Sequence, residues 1–171
     1  GMNVLPTAAL KYALDRNGAA PVNMAREYTL YPWLLKAFEG YEGDVSFDRV
    51  SNVNAEVLPS LAKIKGRISL KGLRSIPNQA ARLFKEKEKP VNLSGLTILS
   101  EPMARYLVSQ DQELWFNEMT EMPIRVLSIL NQNKKDLHFP KVSILHRNCI
   151  EALKGPLDRK VYFDHVTLIE K

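Results

Sequence analysis

Ile68-Ser69-Leu70-Lys71-Gly72-Leu73-Arg74-Ser75-Ile76 is the stretch that decides the fold. Twenty-three residues on, the same apolar positions recur as Val91, Leu93, Leu96 and Leu99. Further steps of 23 give Leu114, Phe116, Met119 and Met122, then Leu137, Phe139, Val142 and Leu145. A step of 24 gives Val161, Phe163, Val166 and Ile169, and one step back gives Val45, Phe47, Val50 and Val53. All four positions are apolar in all six copies. With 45% apolar residues in the chain, chance at a fixed phase and period would produce this in roughly 10⁻⁸ of trials, and freedom to choose both raises that about a hundredfold. A fixed period of this length is the mark of a repeat architecture.

The rest of each unit repeats as well. Val57, Ala80, Met103, Val126 and Cys149 form one column; Leu58, Ala81, Ala104, Leu127 and Ile150 form the next; Leu61, Phe84, Leu107, Leu130 and Leu153 form a third. Offsets of 1, 3 and 4 describe one face of a short helix. Asn54, Pro77, Ser100, Pro123 and His146 stand where those helices begin. Gly66 and Gly155 fall near ends, where a left-handed turn suits glycine. Each unit therefore reads as a short strand, a turn and a helix of about ten residues. Such connections make the strands parallel. A unit this short must stack on its neighbours to bury its apolar side.

The pattern resembles the leucine-rich repeat family, in particular the bacterial variety with an LxLxGLxxL core. Ile68-x-Leu70-x-Gly72-Leu73-x-x-Ile76 and Val91-x-Leu93-x-Gly95-Leu96-x-x-Leu99 carry the likeness, which covers residues 45–169. It implies an α/β right-handed solenoid, with a parallel sheet on the concave face and short helices on the convex face. It also implies a protein-binding role for the concave face. Many relatives place an Asn at the position of Leu73. Here that column is Val50, Leu73, Leu96, Met119, Val142 and Val166, so the turn is expected to rest on apolar packing.

Residues 1–44 depart from the strand template and are expected to form an N-terminal helical cap over the solenoid of residues 45–171. Within it, Ala8 to Asn17 reads as a helix stopped by Gly18, residues 18–23 as a turn, and Pro32 to Glu39 as a second helix with Trp33 and Leu34 inward. The last repeat has a strand, Val161 to Ile169, and no helix. Its open edge invites another strand, so a homodimer through that edge is the alternative to an unknown protein partner.

Alternation along each strand places candidate contact residues on the open sheet face. The first outward column is Ser46, Ser69, Asn92, Trp115, His138 and Tyr162. Trp115, His138 and Tyr162 are expected to form an aromatic ladder, with Asn117, Glu118 and His165 beside it. Aromatic groups with a polar tip are favoured in binding sites. The same three could instead pack on one another for stability alone.

The remaining features bound the function. The chain has 171 residues and a net charge of +5, enough for a buried core without disulfides or metals. The open-face columns carry Asp44, Asp48, Glu113, Asp136 and Asp164 against Arg67, Lys71 and Lys160, the wrong balance for nucleic acid. No apolar run is long enough to span a bilayer, and no membrane partner is expected. The run Lys85-Glu86-Lys87-Glu88-Lys89 reads as a solvated loop. There is no Gly-rich phosphate loop and no Cys/His pair at zinc spacing, so no enzyme, cofactor or metal is expected; a metal site around His138, His165 and Glu118 is the distant third reading. Cys149 sits in a core column and reads as a small hydrophobe. One cysteine and no visible signal peptide suit the cytoplasm, with a secreted effector as the alternative. Gly1 before Met2 reads as a tag remnant.

Overall fold

The computed structural model describes residues 7–24, 29–153, 159–164 and 166–169. It is an α/β protein of parallel strands and short helices, and the chain divides into two compact units after Asn92.

The first unit contains α1 (Thr7–Asn17), β1 (Val22–Asn23), α2 (Pro32–Lys36), β2 (Val45–Ser46), α3 (Leu58–Ala62), β3 (Ile68–Ser69), α4 (Gln79–Phe84) and β4 (Val91–Asn92). Its sheet runs β1-β2-β3-β4, all parallel. The register equals the sequence period: Val22 faces Val45, Val45 faces Ile68, and Ile68 faces Val91. Phe47 and Leu70, two residues beyond these, are fully buried, as are Val50 and Leu73.

The repeat thus begins one unit earlier than the sequence pattern suggests. Residues 18–23 are not all turn: Val22–Asn23 forms a strand, and a further parallel bridge joins Thr29 to Asn52, again 23 apart. The signal was hidden because Glu27 stands at the template position of Val50, although Val22, Met24 and Leu30 fit the other three. The helices near the start are otherwise where expected. Gly18 and Gly40 follow α1 and α2 with positive φ of 61° and 79°, a conformation that costs glycine little. Trp33 is an exception. It points outward, 39% exposed and stacked against Tyr31, while Leu34 and Leu35 take the core positions.

The second unit contains α5 (Glu101–Ser109), β5 (Leu114–Trp115), α6 (Ile124–Leu130), β6 (Leu137–Phe139), β7 (Ile144–His146), α7 (Arg147–Ala152), β8 (Val161–Phe163) and β9 (Thr167–Ile169). Its main sheet is β5-β6-β8, parallel, with Leu114 facing Leu137 and Leu137 facing Val161. Beneath it Phe116 stacks on Phe139 and Phe139 on Phe163, with centroids 5.2 and 5.3 Å apart. Met103, Val126 and Cys149 are buried on α5, α6 and α7, as their shared column requires. A second small parallel pair, β7 with β9, lies on the far side of the turn that follows the main strands.

That pair corrects the last repeat. Val161 to Ile169 is not one strand but two, β8 and β9, each pairing with a different strand of the preceding repeat. The chain must change direction after Phe163 for the apolar residues on both sides of the turn to reach the same layer. Val166 and Ile150 are each 37% exposed, since among the described residues no further layer covers them.

The helices are shorter than the expected ten residues, from five in α3 to nine in α5. The rest of each period is taken by turns and irregular backbone on either side of the two- or three-residue strands. Asn54 caps the short 3-10 turn before α3, its Oδ1 accepting the Val57 N–H at 3.3 Å. His146 ends β7 and directly precedes α7, so it stands just before its helix as expected. Gly66 has no positive φ, so it does not serve as a left-handed stop. It is needed for close approach: a Cβ there would overlap the backbone of Gly43, one repeat back. Gly155 lies outside the described residues.

The turns that follow the strands bury Val50, Leu73, Leu96, Met119 and Val142, as expected, and polar bonds are added at the opposite turns, those that lead into the strands. Polar donors reach back 21 residues to carbonyls of the previous repeat. Tyr41 Oη donates to Ala20 O, Lys87 Nζ to Gly66 O (3.1 Å), and Asn133 Nδ2 to Gln112 O (3.0 Å). Tyr41, Lys87 and Asn133 are spaced by two periods and occupy one column with Ile64 and Gln110. Lys87 is therefore not part of a solvated loop. It is 8% exposed, its ammonium also bonded to Ile64 O. Burial, aided by the nearby charge of Lys89, pushes its pKa from 10.5 down to about 8.

Candidate contact surface

The open face of β5-β6-β8 is built by register. Trp115 pairs with His138 and His138 with Tyr162 across neighbouring strands. In this geometry the three side chains stand on one face at the strand spacing of roughly 4.8 Å. The indole and imidazole planes are parallel to within 2°, with centroids 3.7 Å apart. The imidazole and phenol planes differ by 6°, at 4.5 Å. The rings thus form one continuous stack. Its ends are open: Trp115 is 47% exposed and Tyr162 40%. The Phe116-Phe139-Phe163 stack under the same strands leaves the backbone little freedom to move the rings apart.

Asn117 lies beside the stack, exposed, its backbone N–H donating to Ser94 O at 2.9 Å. Glu118 is held by Lys141, whose Nζ donates to both carboxylate oxygens at 2.8 and 2.7 Å. The pair is solvent-facing and adds little stability. His165 lies outside the described residues, so only five of the six candidate residues can be placed. Among the described residues no cluster of three His, Cys, Asp or Glu could hold a metal ion.

The face of β1-β4 is different. Its outward column is Asn23, Ser46, Ser69 and Asn92, with no aromatic group. Asp48 accepts from Ser69 Oγ and from the Lys71 N–H at 3.1 Å. Burial would raise the Asp48 pKa, but these bonds and one from Ser46 outweigh it and hold the carboxyl below its usual range.

Several charges counted on the open face have structural duties that the sequence did not disclose. Asp44 Oδ1 accepts the Arg67 N–H at 2.9 Å, and Asp136 Oδ1 accepts the Lys160 N–H at 2.8 Å. Each carboxylate caps the entry of the next strand. A periodic search for Asp one repeat before a strand entry would have found both.

Cys149 is 2% exposed, with Sγ 4.0 Å from Met122 O, a packing position. Arg159 is the one buried cation among the described residues whose guanidinium nitrogens all lack a hydrogen-bond partner. Burial lowers its pKa, and the charge of Asp136 partly opposes that.

The class that fold and face define is an α/β repeat protein with a stacked aromatic ladder on an open parallel sheet. Comparison with protein-family models, with curated proteins and with solved structures yields no match. No helix among the described residues is long and apolar enough to cross a membrane.

Proposed function

We propose that the chain is a leucine-rich-repeat-like solenoid and a non-catalytic module that binds a protein partner on its concave sheet face. The observation that carries this reading is the exposed Trp115-His138-Tyr162 stack. Interfaces draw most of their energy from a few aromatic anchors. Anchors already held in one geometry spend little entropy on binding. Stacking for stability alone would be served equally well by rings under cover, whereas two of these three leave much of their area in water.

The test is capture of a partner from the source cell by the wild-type chain, with Trp115→Ala and Tyr162→Ala as paired controls. Both substitutions remove a solvent-facing ring, so the expected loss of folding stability is about 1 kcal/mol or less. Capture of the same identified protein should vanish in both. Capture that survives both substitutions, or a stability loss of several kcal/mol in each, would make the stack a structural element and reject the reading.

A further inference from the structure

Lys160-Val161-Tyr162-Phe163-Asp164 is self-complementary when laid antiparallel on itself. We propose that β8 is a dimerisation edge, and that its partner is β8 of a second copy of this chain, paired antiparallel about a two-fold axis through Tyr162.

The backbone sets this register. Leu137 N–H donates to Lys160 O at 3.0 Å, so the polar groups of Lys160 face β6. Backbone direction alternates along a strand, which turns the groups of Tyr162 towards β6 and those of Val161 and Phe163 outward. Among the described residues no strand pairs with that outer edge. With Tyr162 on the axis, Val161 of one copy meets Phe163 of the other, and the two exchange both backbone bonds. The mirror pair does the same, giving four bonds in all. Tyr162 then faces its counterpart in a non-hydrogen-bonded pair, the kind in which opposed side chains come closest.

Every side chain finds a suitable neighbour in this register. The outward pairs are Lys160 with Asp164, Tyr162 with Tyr162, and Asp164 with Lys160. Lys160 and Asp164 are both exposed. Below the sheet, Val161 and Phe163 are only half-buried, while Leu137 and Phe139, their equivalents in β6, are fully buried. A second copy would cover them. Above it, the three-ring stack would run on through the axis as six rings. Edge strands commonly carry charges that repel another strand. Here the two charges have opposite sign and sit symmetrically about Tyr162, so an antiparallel copy meets attraction at both ends.

Sedimentation over a concentration series, up to millimolar chain, tests the inference. The wild type should move from monomer to dimer. Lys160→Asp alone and Asp164→Lys alone each turn two attractive pairs into two repulsive ones and should weaken the dimer about tenfold. Mixed together, the two single variants should pair again, because one copy then carries acid at both positions and the other carries lysine at both. The double variant K160D/D164K should dimerise like the wild type. Val161→Pro removes only an outward N–H and should leave a folded monomer, seen by unchanged circular dichroism. A wild type that stays monomeric throughout, or a dimer indifferent to these charges, overturns the proposal. Neither result bears on capture of a different protein through Trp115, since the charge variants leave the ring stack intact.

Discussion

The buried Lys87 makes the stability of this protein depend on alkaline pH in a direction that can be worked out in advance. Its folded pKa, about 8, lies below the ordinary 10.5. Between those values the unfolded chain binds a proton that the folded chain releases. Stability therefore rises with pH across that window. Put the other way, the contribution is complete above 10.5 and is lost as pH falls through about 8. The fall from 10.5 to about 8 corresponds, at about 1.4 kcal/mol per pH unit, to a ceiling of about 3 kcal/mol. Solvent near the ammonium screens part of this, so a gain of about 1–2 kcal/mol is expected. The neutral amine keeps two N–H groups, one for Ile64 O and one for Gly66 O, so deprotonation relieves the charge without losing either bond. The assay is urea unfolding of the wild type and of Lys87→Met at intervals from pH 7 to pH 10.5. The difference, taken as wild-type stability minus that of Lys87→Met, should rise by that amount across the range, which cancels groups common to both. A difference that stays flat, or shrinks, would refute the buried-ammonium argument.

Two further outcomes follow from packing. Gly66→Ala would push a methyl group into the Gly43 backbone, so a loss of about 1–3 kcal/mol or more is expected in thermal unfolding, whereas Gly18→Ala, with open space around it, should show only the smaller cost of its positive φ. Arg159→Met keeps an unbranched side chain and removes a buried cation without hydrogen bonds, so the melting temperature should rise, by the equivalent of about 1–3 kcal/mol; a fall would show that the guanidinium has a stabilising partner.

The period of 23 was legible in the residues because the hydrophobic effect acts on every layer alike. Each repeat must turn the same positions inward, and a side chain such as Phe47, Leu70, Phe116 or Phe139 records that demand one residue at a time. Strand direction and pair register followed from the same count: Trp115, His138 and Tyr162 are neighbours because they are one period apart. Polar interactions were less legible. A donor needs a partner only at one distance and angle, and Lys87 among four other charged residues gives no hint that its head turns inward to Gly66 O. The carboxylates of Asp44 and Asp136 looked like surface charge until the next repeat brought an N–H to each.

What the amino-acid order determined alone, then, is which positions are hidden from water and how far apart their repeats lie, since burial is non-directional and leaves a periodic trace. Only the tertiary structure decided that Val22–Asn23 joins the sheet, that the last strand breaks into β8 and β9, and that three rings meet face to face. Those outcomes depend on where the chain turns and on angles between neighbouring layers, quantities set by hydrogen bonds and contacts across more than twenty residues, which no local pattern encodes.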